Sequence, residues 1–157
     1  MMPWSDPQRW RNLCAGEGCP LCDPQLTDVI CELPTARVRA PSAACLPGYV
    51  CVVYRRHVAE LHDLSPTEAA AFIQDVCRVS AAVQRLTNAA KINLLSLGNL
   101  VPHLHMHICP RRPGDRFEGR AVDPGDVCSD VYGPGEHAAY IDVVRKSLGG
   151  HSDGCTD

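Results

Sequence analysis

Apolar and polar positions change their period several times along the chain, and each change marks an element. The short apolar runs VICEL (29–33) and ARVRA (36–40) flank Pro34-Thr35, and YVCVVY (49–54) is entered through Pro47-Gly48. Runs of this length bounded by turn residues predict three strands, the third of them buried. Ser65-Pro66-Thr67-Glu68 combines a capping box with proline at the first helical position, which satisfies or removes N–H groups otherwise orphaned at a helix start. Phe72, Val76, Val79, Val83 and Leu86 then recur at spacings of three and four up to Asn88, so a long helix with one buried stripe is predicted there. INLLSL (92–97) and HLHMHIC (103–109), separated by Gly98-Asn99 and Pro102, predict two more strands. Pro, Gly, Cys and Trp crowd residues 1–27, which predicts an irregular cap with a short helix near 6–13. Residues 110–135 predict a long irregular segment, followed by a short helix over about 136–148 and a frayed end, GGHSDGCTD. With no internal repeat and no linker, the reading is one domain: a cap (1–27), a core (28–112), and a segment with a C-terminal helix (113–157). Its class is α+β with a five-stranded antiparallel sheet, one long helix and a shorter C-terminal one.

The last predicted strand carries the densest chemistry. His103, His105 and His107 alternate with Leu104, Met106 and Ile108, and a strand sends alternate side chains to opposite faces, so three imidazoles would share one face above an apolar row. Imidazole is costly to bury unless both nitrogens find partners, which argues for use of the three as a group. Two chemistries fit the spacing equally. A neutral histidine could attack an electrophilic phosphorus and form a covalent intermediate, its neighbours holding the phosphoryl oxygens. Alternatively, two of the three could bind a catalytic zinc that activates water.

Composition narrows the setting. Fifteen Lys and Arg against 18 Asp and Glu give a net charge of −3, without the basic excess of a chain held to nucleic acid by phosphate contacts. A small anionic ligand needs only a local positive pocket. The amino end, MMPWSDPQRWRNLC, lacks the apolar core of a secretory signal, and Pro and Gly interrupt the apolar stretch 43–54; the expectation is a cytoplasmic protein with no membrane segment. In a reducing compartment the ten cysteines should be free thiols, with a close pair such as Cys19 and Cys22 suited to metal and Cys31, Cys51, Cys77 and Cys109 suited to the core.

The stretch GNLVPHLHMHICPR (98–111) resembles the histidine-triad (HIT) motif, His-φ-His-φ-His-φ-φ preceded by Gly-(Gln or Asn)-φ-Val and followed by Pro-Arg. The resemblance extends upstream through GCPLC (18–22) and LPGYVCVVYRRHVAELHDLSPTE (46–68) to the long helix, covering residues 18–112. It implies a HIT-like fold, commonly dimerised, and hydrolysis or transfer at the α-phosphate of a nucleotide derivative: a nucleoside phosphoramidate, a dinucleoside polyphosphate or a nucleotide sugar. By motif position His105 would be the nucleophile that becomes nucleotidylated, and His107 would contact the phosphate and help the leaving group depart. The resemblance makes Cys19, Cys22, His57 and His103 a structural zinc site, with His62 a displaced rival. Asn99, beside Gly98, stands where a side-chain amide meets the phosphate or leaving group, Ser96 could add a hydroxyl, and Arg111 and Arg112 could offer guanidinium groups. The chain departs from the family pattern where a ribose-binding Asp is usual, which here reads Pro41-Ser42. Gly-His is replaced by Gly48-Tyr49, and the loop before the triad is shortened to SLGN. The missing carboxylate leaves open a non-catalytic nucleotide-binding module, and the metal-on-triad hydrolase stays open beside it. The GNLVPHLHMH form followed by RRPGDRF (111–117) resembles a little-characterised subgroup, in which residues 113–135 would be the specificity element.

Overall fold

A computed structural model of the protein describes residues 3–149. In chain order its elements are α1 (Pro7–Cys14), β1 (Val29–Glu32), β2 (Ala36–Arg39), β3 (Val50–Tyr54), α2 (Pro66–Thr87), β4 (Lys91–Leu95), β5 (His105–Arg111) and α3 (Glu136–Gly149). The strands form one sheet in the order β1-β2-β3-β5-β4 with every neighbouring pair antiparallel, as the α+β reading required. The tail GGHSDGCTD lies beyond the described residues except for its first glycine.

α2 begins where its local chemistry says it must. The Ser65 side chain accepts from the Glu68 N–H while the Glu68 carboxylate accepts from the Ser65 N–H, and Asn88 closes the helix in the left-handed conformation. Its stripe of Phe72, Val76, Val79 and Val83 packs with Val144 and Leu148 of α3 against Val38, Val50, Val52, Leu104 and Ile108 on one face of the sheet. The opposite face, carrying Cys51, Val53 and Cys109, is covered by irregular chain through Leu21, Ala44, Leu46, Phe117 and Val122. β3 is therefore buried at every position, which is why its run is continuously apolar instead of alternating.

Of the four cysteines assigned to the core, two are in it, one packs against it and one lies outside. Cys51 and Cys109 are buried, whereas Cys77 is exposed and Cys31 half-buried. Cys77 directly follows Val76, and a helix turns that next position off the buried stripe.

The strand boundaries also shift near the histidines. β4 ends at Leu95 and β5 starts at His105 instead of His103. The chain between peels off the sheet through Gly98, whose φ of +79° is a backbone state that glycine adopts without a Cβ clash. At its other end β5 runs through Pro110 to Arg111. Pairing with β3 stops at Val50–Ile108 while pairing with β4 continues, so Pro110 meets a strand on one side only and its missing N–H is tolerated.

Candidate active site and metal centre

The three histidines divide between two places. His103 lies before β5 and its ring is fully buried against the cap; His105 and His107 stand on the sheet face opposite α2. Their ring nitrogens form a chain whose hydrogens can be assigned from the acceptors at its end. His105 Nδ1 lies 2.6 Å from the His103 carbonyl oxygen, which only accepts, so Nδ1 carries the hydrogen and Nε2 of the neutral ring keeps its lone pair. His107 Nε2 lies 3.1 Å from that lone pair and must donate to it. Nδ1 of His107 is then an acceptor, and the Tyr49 hydroxyl donates to it at 2.7 Å. Burial holds both rings neutral: the His105 pKa is pushed down, and that of His107 is lowered to about 4, first by burial and then by the neighbouring His105. Burial also pushes the Tyr49 phenol up, which keeps it a donor.

This pair opens into a cavity of about 520 Å³. His105, His107, Tyr49 and Cys51 form part of its floor, the segment Leu97 to Val101 forms one wall, and Asp123, Pro124 and Gly125 from the long irregular segment contribute to its lining. Gly98 and Asn99 thus meet the histidines at one cavity. Ser96 is exposed and lies outside the lining. Arg111 and Arg112 lie outside it as well. Arg111 is spent on Asp115 (2.7 and 3.0 Å), Asn93 (2.8 Å) and the Phe117 carbonyl (2.6 Å), and Arg112 donates to the Thr87 and Pro47 carbonyls. These contacts fasten the end of β5 to neighbouring chain.

The second place is a cluster of four donors: Cys19, Cys22, His57 and His103, whose ligand atoms all lie within 4.8 Å of one another. Cys19 caps a single 3₁₀ turn, Pro20–Cys22, that ends on Cys22. His103 Nδ1 stands 3.5 Å from Cys19 Sγ and 3.4 Å from Cys22 Sγ, His57 Nδ1 is 3.4 Å from Cys22 Sγ, and the two Nδ1 atoms are 3.2 Å apart. Donors at about 2.0–2.3 Å from a tetrahedral ion stand roughly 3.3–3.8 Å from one another, so the edges fit such an ion. The ring chemistry points the same way. His103 Nε2 donates to the Tyr54 carbonyl at 2.7 Å and His57 Nε2 to the Cys14 carbonyl at 3.0 Å. Both Nδ1 atoms are therefore turned toward each other and the two sulfurs, a donor set that could hold a metal ion. His62, on the exposed turn before α2, is not part of the cluster.

Residues 25–114 match the HIT domain family model, more than half of the chain. The chain belongs to the HIT family. Among similar HIT-containing proteins, a bis(5'-nucleosyl)-tetraphosphatase (asymmetrical) of Schizosaccharomyces pombe is 34% identical over 82 residues, which is 49% of this chain and 45% of that protein. An AP-4-A phosphorylase of Mycobacterium tuberculosis is 39% identical over 75 residues, 44% of this chain and 38% of that protein. The matches thus span less than half of these curated relatives. A solved histidine triad protein of Bradyrhizobium japonicum has the same fold at 32% identity and a TM-score of 0.65, over 76% of this chain and 89% of its own.

Two charged residues of the cavity lining escaped the sequence reading. Arg39 lies on β2 directly opposite Cys51, which lies opposite His107, so all three share a face. The alternation of Arg37 and Arg39 with buried Val38 was the available signal, but it acquires meaning only once the order of strands is known. Asp123 sits in irregular chain, where no period announces it.

Proposed function

We propose that this HIT domain is a nucleotide hydrolase or nucleotidyltransferase acting at an α-phosphate, with His105 as nucleophile. The observation that carries the reading is the assigned ring chain: His105, which lines the cavity, keeps its lone pair at Nε2 while Tyr49 and His107 hold the opposite hydrogen pattern beside it. In the first step the His105 Nε2 lone pair forms a bond to phosphorus as the P–O or P–N bond breaks and the leaving group departs with that bond's electron pair. His107 Nε2–H, released from His105 when the lone pair is used, donates to a phosphoryl oxygen or to the leaving-group atom, passing its proton to the nitrogen of a P–N substrate so that it departs as the neutral amine. Water or another acceptor then forms a bond to phosphorus, giving up its proton to His107, as the P–N bond to His105 breaks and Nε2 recovers its lone pair. Gly98 and Asn99 bound the phosphate side. Asp123, the carboxylate lining the cavity, is the group available for sugar hydroxyls that the chain does not meet at Pro41-Ser42. The names of the relatives above support nucleotide polyphosphates or their conjugates as the substrate class.

Zinc in the Cys19, Cys22, His57 and His103 cluster is part of the same proposal. Two thiolates and two imidazoles suit that ion, and four protein ligands leave no open position, so its chemistry is structural. Drawing His103 into this cluster leaves two histidines at the cavity, which favours the covalent route over a catalytic metal on the triad face. A second copy of the chain is the proposed partner, through the free edge of β4.

The deciding experiment is rapid quenching with a nucleoside phosphoramidate, followed by mass spectrometry of the intact protein and its peptides. A nucleotidyl adduct on the 105-containing peptide, absent in His105→Ala and formed in the presence of chelator, is expected. Equal background release of nucleotide by both proteins would sink the catalytic reading and leave binding alone.

A further inference from the structure

We propose that Arg39, oriented by Asp28, reads the base of the bound nucleotide and selects a 6-oxopurine of the guanine type over adenine; this rests on the nucleotide reading of the cavity. Arg39 Nε and Nη2 donate to the two carboxylate oxygens of Asp28 at 2.8 and 2.7 Å. That side-on pair occupies one edge of the guanidinium and fixes its plane. The other edge keeps Nη1, which has no partner among the described residues, and the second N–H of Nη2. It is a fork of two parallel donors on a side chain that lines the same cavity as His105 and His107.

The register sets the distance. Arg39 pairs with Cys51 and Cys51 with His107, so Arg39 lies two strand spacings from His107, roughly 10 Å between Cα atoms. That suits one nucleoside laid across the sheet, its phosphorus at the histidines and the edge of its base at Arg39. The same cavity is lined by Leu21, Pro41, Ala43, Leu97, Leu100 and Val127, apolar surface for the faces of a flat ring. A donor fork matches adjacent acceptors. Guanine and hypoxanthine present O6 beside N7, whereas adenine presents an amino donor beside N7 and would set hydrogen against hydrogen. Asp28 already balances the guanidinium charge, so the fork is better spent on paired neutral acceptors than on a second phosphate.

The test is titration calorimetry on the full chain with GMP, IMP, AMP, ADP and 7-deaza-GMP, for the wild-type protein and Arg39→Lys. Lysine keeps the charge and loses the fork. Expected are GMP and IMP binding about tenfold more tightly than AMP, the order of one good bidentate contact, with 7-deaza-GMP falling toward AMP and the preference erased in Arg39→Lys. Equal binding of GMP and AMP, or a preference kept by Arg39→Lys, would overturn the inference while leaving the nucleotide reading intact. A gain of ADP over AMP that is lost in Arg39→Lys would assign the fork to phosphate and overturn it too. No binding by any nucleotide would overturn the reading beneath it as well. Should Arg39→Lys fail to fold, the 7-deaza-GMP comparison on wild-type protein decides by itself.

Discussion

A single carbonyl, that of His103, decides through His105 which nitrogen of His107 carries hydrogen. Tyr49 completes the chain by donating to Nδ1 of His107, and the lone pair on offer belongs to His105. Tyr49→Phe removes that donor and leaves the His107 Nδ1 lone pair without its partner, while His105 still holds Nε2–H. Turnover is expected to fall about five- to tenfold with KM little changed, the order of one net hydrogen bond, and the ¹⁵N shift of His107 Nδ1 should move as its lone pair loses that bond. An unchanged spectrum would refute the assignment. His107 also ties stability to pH. Its pKa is about 4 in the folded protein against an ordinary 6.5, so between those values the unfolded chain holds the proton and the folded chain does not. The contribution is complete above about 6.5 and lost as pH falls toward 4. Urea titrations at pH 7 and pH 5 should show wild-type protein losing more stability than His107→Gln. At this scale the histidines and the Cys-x-x-Cys pair were legible as groups from residue type and spacing, while the grouping of His57 and His103 with the cysteines came only from the family resemblance. Arg39 and Asp123 were not, because each gains its meaning from chain that is distant in sequence.

Elements built on local signals were read closely. α2 carries its start in Ser65-Pro66-Thr67-Glu68 and its stop in Asn88, and it runs Pro66–Thr87. β5 was misplaced at both ends because its limits are set by partners. His103 is drawn off the strand toward the cysteines, and Pro110 is carried past the end of β3 by β4. β4 presents the remaining question at this scale. It is an edge strand, and Leu94, 48% exposed, lies opposite Ile108 and so faces the helix side, where Ile73 of α2 is 37% exposed. Such a bare edge with apolar side chains is a ready pairing surface. Leu94→Asp is expected to shift the mass measured by light scattering from that of two chains to that of one, with the helical circular dichroism retained. A single-chain mass for wild-type protein would end the dimer proposal.

Across the whole molecule the two faces of the sheet are held in different ways. One rests on helices whose stripes pack by themselves. The other, which bears the cavity, is roofed by irregular chain with little secondary structure of its own, fastened by ion pairs such as Arg111–Asp115 and by the four-donor cluster. The α+β class and the sheet were legible because alternation and turns encode them. The roof was legible only as irregular chain, since its order comes from side-chain bonds without period. Removing metal should therefore loosen the roof first. Amide exchange is expected to speed up over residues 3–27 on chelation while α2 stays protected. Uniform loosening of both faces, or none, would count against a structural ion.

His103 belongs to both places at once. Its ring faces the cysteines, and its carbonyl oxygen holds the Nδ1 hydrogen of His105, the proposed nucleophile, two residues on. One residue therefore joins the four-donor cluster to the cavity: on the proposed mechanism, a tilt of that ring, from loss of an ion or oxidation of a nearby thiol, would reach His105 as a change of aim, and slowed turnover would register the damage before the protein unfolds.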